Sequence, residues 1–360
     1  MACFIHPTNT NYLYGSSQYG SLYFSNDGGT NFNWTSGDIS ESSEWTTPYM
    51  LDPGDPSILY AAAGNVWRSS DHGAAWSKIS NFPINAALSQ PNISSALAVA
   101  PSNSNYLYCA KRFYYSYGEP SALWVTTNGG NSWMDRSAGL PDSLYLTYIA
   151  VDGDAPQTAW VTASGFSAGA KVFKTMDAGQ NWSNISMNLP NLPVNCVVHD
   201  LDAPNNPVYI GMDAGVYYTN DTMNSWSLYA ADLPNVVVSD LEIHRLGEKL
   251  LAATFGRGIW SVDLKDATGT GVNGMALRNA EMSISPNPNG GDFSLELGNL
   301  AFQTARLEVV DVMGRVLYGQ ELRFNSHEFR AKISTGLPAG MYFVRVVKGN
   351  LSLSQRMLVQ

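Results

Sequence analysis

Three groups of residues in this sequence have the types and spacing that chemistry uses. Carboxylates or an amide return at a near-regular interval (Asp27, Asp71, Asn128, Asp177, Asp221). Asp240, Glu242 and His244 alternate along one segment. Arg112-Phe-Tyr-Tyr-Ser-Tyr117 followed by Glu119 is the densest aromatic run. Recurring acids suit turn building, calcium or acid–base work; an alternating trio shares one side of a strand; aromatic platforms suit the flat faces of sugars or peptides.

The recurring acids lie in a motif that reads S/T-x-D-x-G-x-x-W. It occurs as Ser25-Asn-Asp27-Gly-Gly29-Thr-Asn-Phe32, Ser69-Ser-Asp71-His-Gly73-Ala-Ala-Trp76 and Thr126-Thr-Asn128-Gly-Gly130-Asn-Ser-Trp133. Two more copies are Thr175-Met-Asp177-Ala-Gly179-Gln-Asn-Trp182 and Thr219-Asn-Asp221-Thr-Met223-Asn-Ser-Trp226. The carboxylate accepts hydrogen bonds from its own turn, the glycine takes a φ that other residues avoid, and the aromatic packs back onto its own sheet. A turn motif repeated in every unit cannot mark one unique site, so these acids are read as hairpin fasteners. Asn128 and Met223 are departures that a turn tolerates.

A second anchor precedes each box: His6-Pro-Thr-Asn-Thr-Asn-Tyr-Leu-Tyr14, Asp52-Pro-Gly-Asp-Pro-Ser-Ile-Leu-Tyr60, Pro101 to Tyr108, Asp152 to Pro156 and Asp202 to Tyr209. These are polar turns feeding β-rich runs, and Leu-Pro pairs at 140–141, 189–190 and 233–234 mark the crossings between units. Each unit then holds four short strands, and a period of about 40–50 residues is that of a propeller.

The two anchors in register resemble the Asp-box (BNR-like) β-propeller superfamily. Asp213-Ala-Gly-Val-Tyr-Tyr-Thr-Asn-Asp221 and Ala253-Thr-Phe-Gly-Arg-Gly-Ile-Trp260 make residues 1–264 similar to its sortilin-like and xyloglucanase-like branch, in its C-terminal part. The expected fold is all-β: a propeller of five complete four-stranded blades plus a three-stranded closing blade, then a second β domain. Cys3-Phe-Ile-His6 aligns with Cys196-Val-Val-His199, an innermost strand, so nothing before it could supply the sixth unit's outer strand. The expectation is that Met1 is an internal methionine of a longer protein. Met1 to Thr10 also lacks a basic n-region and a continuous apolar h-region.

Residues 265–280 are small and polar, as a flexible linker is. Gly269-Thr-Gly-Val-Asn-Gly274 matches a dinucleotide fingerprint in letters alone, since no βαβ unit surrounds it. From 281 to 360 alternating strands form a compact β-sandwich, immunoglobulin-like, with three turn signatures. They are Pro286-Asn287-Pro288 with Gly291 and Phe293, Asp311 with Gly314, and Gly340 with Tyr342. In that order they resemble the type A C-terminal sorting domain of the type IX secretion system. The resemblance implies the type IX machinery as partner, passage through a Gram-negative outer membrane, and removal of this domain. It also implies attachment to lipopolysaccharide, so the address is extracellular or the outer-membrane surface.

Composition excludes several classes. The net charge of −10, with no basic cluster, leaves no patch to neutralise phosphates, so no nucleic acid partner is expected. No apolar run approaches a transmembrane segment. Cys3, Cys109 and Cys196 have no C-x-x-C spacing, and His6, His72, His199, His244 and His327 have no zinc spacing. No metal and no cofactor is expected.

Ligand sites favour the loops opposite the Asp boxes: Thr35 to Glu44, Lys111 to Ser121 and Met134 to Asp142. The candidates there are Phe113, Tyr114, Tyr115, Tyr117 and Glu119, with Trp45 and Glu44 beside Asp38 and Glu41. Sialidase chemistry needs an arginine cluster and a Tyr–Glu pair, and the family's Arg-Ile-Pro signature is absent. A xyloglucanase-type hydrolase needs two carboxylates across a cleft, which cannot be placed; catalytic residues are unknown. Asp240, Glu242 and His244 read as a polar edge of the last blade's inner strand. Two functions stay open: a secreted or surface-anchored propeller binding extracellular glycan or protein, or an extracellular glycoside hydrolase with part of its catalytic apparatus upstream.

Overall fold

Short runs of β-branched, aromatic and small apolar residues, punctuated by Gly, Asn and Asp, form strands of two to nine residues throughout the chain. The computed structural model describes residues 3–86, 89–114, 118–201, 203, 205–230, 233–265, 281–298, 304–311, 314–324, 329–348 and 351–360. The chain divides into two units. The first is Met1–Leu201 with Asn205–Ile243 and Leu250–Val262; the second is Asp263–Gln360 with Asp202–Pro204 and His244–Lys249.

In the first unit, consecutive strands pair antiparallel into sheets taken in chain order. The first sheet is Cys3–Ile5, Leu13–Ser16, Leu22–Ser25 and Asn33–Trp34, and the second is Tyr49–Leu51, Leu59–Ala62, Val66–Ser69 and Ser77–Lys78. The third is Ser94–Val99, Leu107–Lys111, Ala122–Thr126 and Met134–Asp135. The fourth is Leu146–Val151, Ala159–Ala163, Val172–Thr175 and Ser183–Asn184. The fifth is Val194–His199, Val208–Met212, Gly215–Thr219 and Ser227–Tyr229, and a three-stranded sixth is Val238–His244, Lys249–Thr254 and Gly258–Asp263. A two-stranded ribbon, Ile84–Asn85 with Gln90–Pro91, was not foreseen. Second strands such as Leu107–Lys111 and Val208–Met212 are buried throughout, because sheets cover both their faces.

The boxes are turns of one geometry. Ser25 Oγ donates to Asp27 Oδ1 at 2.8 Å, Asn31 N donates to the same oxygen at 3.0 Å, and Gly29 N donates to Ser25 Oγ at 2.9 Å. Ser69, Asp71 and Gly73 repeat this, as do Thr175, Asp177 and Gly179. Asn128 makes the same bonds through its amide oxygen, from Thr126 Oγ1 and Ser132 N.

The fifth box departs. Gly29, Gly73, Gly130 and Gly179 all have φ between 79° and 91°, a conformation that costs a β-carbon dearly. Met223 stands in that place, and the turn shifts by one residue. Asn220 Oδ1 accepts from Thr222 N, while Asp221 binds Lys174 Nζ at 2.6 Å and Asn206 Nδ2 at 2.7 Å. Asp221 is thus an inter-sheet ion partner in place of a turn fastener.

The box aromatic does more than expected. Its ring lies beside its own box glycine, as Trp76 does at Gly73 and Trp182 at Gly179, and it also reaches the preceding sheet. The indole Nε1 of Trp76, Trp133, Trp182 and Trp226 donates to the carbonyl of Thr35, Ile79, Arg136 and Ile185, at 2.7–2.8 Å. Each acceptor directly follows the fourth strand of the previous sheet. The next residue is always serine. Ser36, Ser80 and Ser186 each accept, through Oγ, the N–H of the residue that opens their own sheet's third strand, and Ser137 accepts that of Leu123, the second residue of its third strand.

In the second unit, Glu281–Ser285, Asp292–Gly298 and Phe329–Ser334 form one sheet. Thr304–Asp311, Val316–Arg323, Gly340–Lys348 and Leu351–Val359 form another. Alternate residues from both sheets, among them Phe293, Leu295, Leu307, Val309, Val344, Val346 and Met357, share one apolar core. The motif residues sit in its turns. Asn287 brackets the last strand through Leu358 N and Arg356 O, Arg315 N and Nε donate to Asp311, and Tyr342 OH donates to the Pro338 carbonyl. Gly291 and Gly314 have φ of 96° and 81°. Residues 266–280, most of the expected linker, lie outside the described residues, and the Gly-rich fingerprint with them.

Candidate functional site

The segment after the first sheet carries three carboxylates, two of which bond to the second sheet's unit. Asp38 Oδ2 accepts Trp76 N at 2.9 Å. Glu41 accepts from Asn65 N, Asn65 Nδ2 and Trp67 Nε1, which pins the segment to the second sheet. Those two acids are therefore committed to structure. Glu44 alone reaches further: Oε1 accepts Arg112 Nη1 at 2.8 Å and Tyr145 OH at 3.0 Å, and Oε2 accepts Trp45 N.

Around Glu44 the aromatics gather. The Arg112 guanidinium lies 4.9 Å from the Tyr114 ring centre and 5.8 Å from that of Tyr145, within cation–π range. Burial, then the Glu44 charge, push the Tyr145 phenol well above its ordinary value, so it stays a neutral donor. On the other side of Glu44, Trp45 is 55% exposed and meets Tyr19, 64% exposed, edge to face with ring centres 5.2 Å apart. Tyr19 has φ 58° and donates its N–H to the Trp45 carbonyl.

Tyr114 and Glu119 exchange both backbone hydrogen bonds, closing the neck of the Lys111–Ser121 loop, and Asn92 Nδ2 donates to Glu119 Oε2 at 3.4 Å. Phe113 is half-buried at that neck. Tyr115 and Tyr117 lie outside the described residues. Beneath the loop, Lys111 is buried with Nζ bonded to the Gly64 carbonyl, the Asn92 carbonyl and Ser94 Oγ, 4.1 Å from the Phe82 ring centre. Burial lowers this amine to about 8.

The structure thus brings Glu44, Trp45 and Tyr114 together and adds Tyr19, Arg112 and Tyr145, which sequence reasoning did not nominate. Tyr145 lies 101 residues from Glu44, and no local pattern announces such a contact. The W-x-x-x-S spacing, visible in Trp76–Ser80, Trp133–Ser137 and Trp182–Ser186, was the missed signal for the seams.

A second cluster lies on first strands. Partial desolvation shifts Asp240 upward from the ordinary carboxylate range, and desolvation with the neighbouring Asp240 charge does the same for Glu242, although the Glu242 side chain is exposed at the surface. Tyr148 and Cys196, on the first strands of the fourth and fifth sheets, are raised by burial and then by Asp240. A carboxyl shifted upward holds its proton to higher pH than a free one, which is the direction a general acid needs. His244 closes the same strand with an exposed side chain.

Two open cavities of about 600 and 400 Å³ run along the seam of the second and third sheets, sharing Gly129 and Asn131. The aromatic wall of the larger includes Trp133, which is engaged with Ile79, so it is a packing cleft. Among the described residues no His, Cys, Asp and Glu group could hold a metal ion. No helix there is long and apolar enough to cross a membrane.

Residues 84–256 match the family model of the photosynthesis system II assembly factor YCF48, and residues 283–360 match that of the secretion system C-terminal sorting domain. The chain is 27% identical over 220 residues to a xyloglucanase of Hypocrea jecorina (strain QM6a), covering 50% of this chain and 25% of that protein. It is 30% identical over 122 residues to the photosystem II assembly lipoprotein Ycf48 of Synechococcus sp. (strain CC9902), covering 33% and 34%. An extracellular domain assigned to a one-component system of B. thetaiotaomicron aligns with a TM-score of 0.50 at 11% identity, over 99% of this chain and 55% of that one. A GH74 enzyme of Niastella koreensis aligns with a TM-score of 0.43 at 14% identity, over 98% and 58%. The matched stretch spans about a third or less of the curated relatives. The chain therefore carries a BNR-like propeller region with xyloglucanase-like homologues, and a sorting domain that implies the type IX machinery and export.

Proposed function

We propose that this protein is exported through the type IX system and binds an extracellular glycan, in the medium or on the cell surface, with the face built from Tyr19, Glu44, Trp45, Arg112 and Tyr114. The observation that carries the reading is the exposed Tyr19–Trp45 pair held beside the Glu44–Arg112–Tyr145 node. Two large exposed rings, Trp45 on a segment held by Asp38, Glu41 and Glu44 and Tyr19 bonded to it through the Trp45 carbonyl, cost little entropy to engage a sugar face. The node supplies hydrogen-bonding groups at its edge.

In this reading residues 1–264 are the propeller, with five four-stranded blades and a three-stranded one, 265–280 the linker, and 281–360 an immunoglobulin-like sorting sandwich. The sandwich is removed after export, and attachment to lipopolysaccharide then anchors the remainder. The test is a glycan array with wild type, Trp45→Ala and Tyr19→Ala. Binding to a neutral glycan that both variants reduce at least tenfold supports the reading; binding that neither variant changes refutes it.

A second reading is favoured by Asp240 and Glu242, whose raised carboxyls suit glycoside hydrolysis, and by the xyloglucanase likeness. It predicts release of reducing ends from xyloglucan, lost in Glu242→Gln and Asp240→Asn. Hydrolysis unaffected by both substitutions removes this pair from consideration.

A further inference from the structure

Four boxes grip the same element. In each, the indole takes the carbonyl of the residue after the preceding sheet's fourth strand. In three of them the box glycine leaves room for that residue's side chain. A β-carbon on Gly130 would stand 2.9 Å from Ile79 Cβ, one on Gly179 2.9 Å from Arg136 Cβ, and one on Gly73 3.3 Å from Thr35 Oγ1. The grip covers its aromatic to differing extents: Trp76 and Trp226 are 6% and 3% exposed, and Trp133 and Trp182 are half-buried.

The first sheet has the same grip with nothing in it among the described residues. A β-carbon on Gly29 would meet only Leu13 of its own sheet and Phe32 of its own box. Phe32 is 49% exposed. The turn itself is intact, with Ser25, Asp27, Gly29 and Asn31 bonded as in the second and fourth boxes. A formed grip whose aromatic faces solvent is therefore not the result of a failed turn.

We infer that the Gly29–Phe32 face is an acceptor for the end of an outer β-strand from a further repeat unit. The occupant is a short extended segment of the W-x-x-x-S type, whose residue before the serine lies over Gly29 and against the Phe32 ring. The argument is one of continuity: the face extends a series of four interfaces, each filled by Thr35, Ile79, Arg136 or Ile185 in the same position. Sequence supplies the one difference. Phenylalanine has no N–H to give the incoming carbonyl, so this grip holds by packing alone and suits a unit that docks more weakly than the other four.

The test uses the full chain and, as probe, a synthetic peptide of residues 74–82 (Ala-Ala-Trp-Ser-Lys-Ile-Ser-Asn-Phe), with a scrambled peptide of equal composition as control. The readout is amide hydrogen exchange over residues 26–34 and a dissociation constant from peptide titration. The peptide slows exchange there and the scrambled one does not. Phe32→Trp tightens binding about fivefold, the worth of one neutral hydrogen bond, and Phe32→Ala weakens it by at least as much. A gain in Phe32→Trp cannot come from misfolding. Exchange untouched by the peptide in both wild type and Phe32→Trp overturns the inference, as does equal binding by the scrambled peptide.

Discussion

The indole Nε1 of Trp133 donates to the carbonyl oxygen of Ile79 at 2.8 Å, joining the third sheet to the outer end of the second. The bond makes the second, third and fourth boxes devices that act across a seam as well as within a turn. Trp133→Phe keeps the ring and leaves the Ile79 carbonyl without its donor, which costs about 1–3 kcal/mol. Urea unfolding of the variant should show a lower midpoint with an unchanged slope. Phe32→Trp, at the unfilled grip, should leave stability within about 0.5 kcal/mol.

Acid should loosen the box turns. Hydrogen bonds from Asn31 N and Nδ2, then from Ser25, hold Asp27 at about 2, and the corresponding bonds lower Asp71 and Asp177. A carboxyl depressed in the folded state contributes stability that is complete above the unfolded value near 3.9 and is lost as pH falls towards 2. Thermal midpoints between pH 5 and 2 should therefore fall more steeply in wild type than in Asp27→Asn/Asp71→Asn/Asp177→Asn.

Lys111 acts in the same direction but in a higher pH window. Its folded value, about 8, lies below the unfolded 10.4, so between those values the folded chain binds fewer protons than the unfolded one. Its contribution to stability therefore rises as pH climbs through that window. Lys111→Met, close in volume, should remove the rise: the wild-type midpoint gains on the variant between pH 7.5 and 10, and a constant difference would disprove the account.

Glu44→Gln keeps the oxygen that faces Arg112 and Tyr145 and removes the charge. The pair is partly exposed, with side chains 12% and 38% accessible, so screening limits the loss of stability to about 1 kcal/mol. The stronger effect should be local. Amides of Arg112 to Tyr114 exchange faster, and any glycan affinity drops together with that of Trp45→Ala.

Strands, turns and the two-part organisation were legible because they rest on local chemistry. Ser25, Asp27 and Gly29 form their turn from bonds within five residues, and Asn128 substitutes for aspartate through one oxygen. The fifth box misled because the rule there depends on a backbone angle. Met223 cannot hold it, and Asn220 takes over the turn bonds.

The sequence by itself determined the repeat, the handful of residues that close each hairpin and the sorting unit at the end, all set by period-two burial and turn preference over short stretches. Only the tertiary structure decided what those residues meet. Trp133 finds Ile79 across 54 positions and Glu44 finds Tyr145 across 101, because successive sheets pack against one another. Strand periodicity states which side of a sheet a residue takes and carries no record of which residue of the neighbouring sheet stands opposite it.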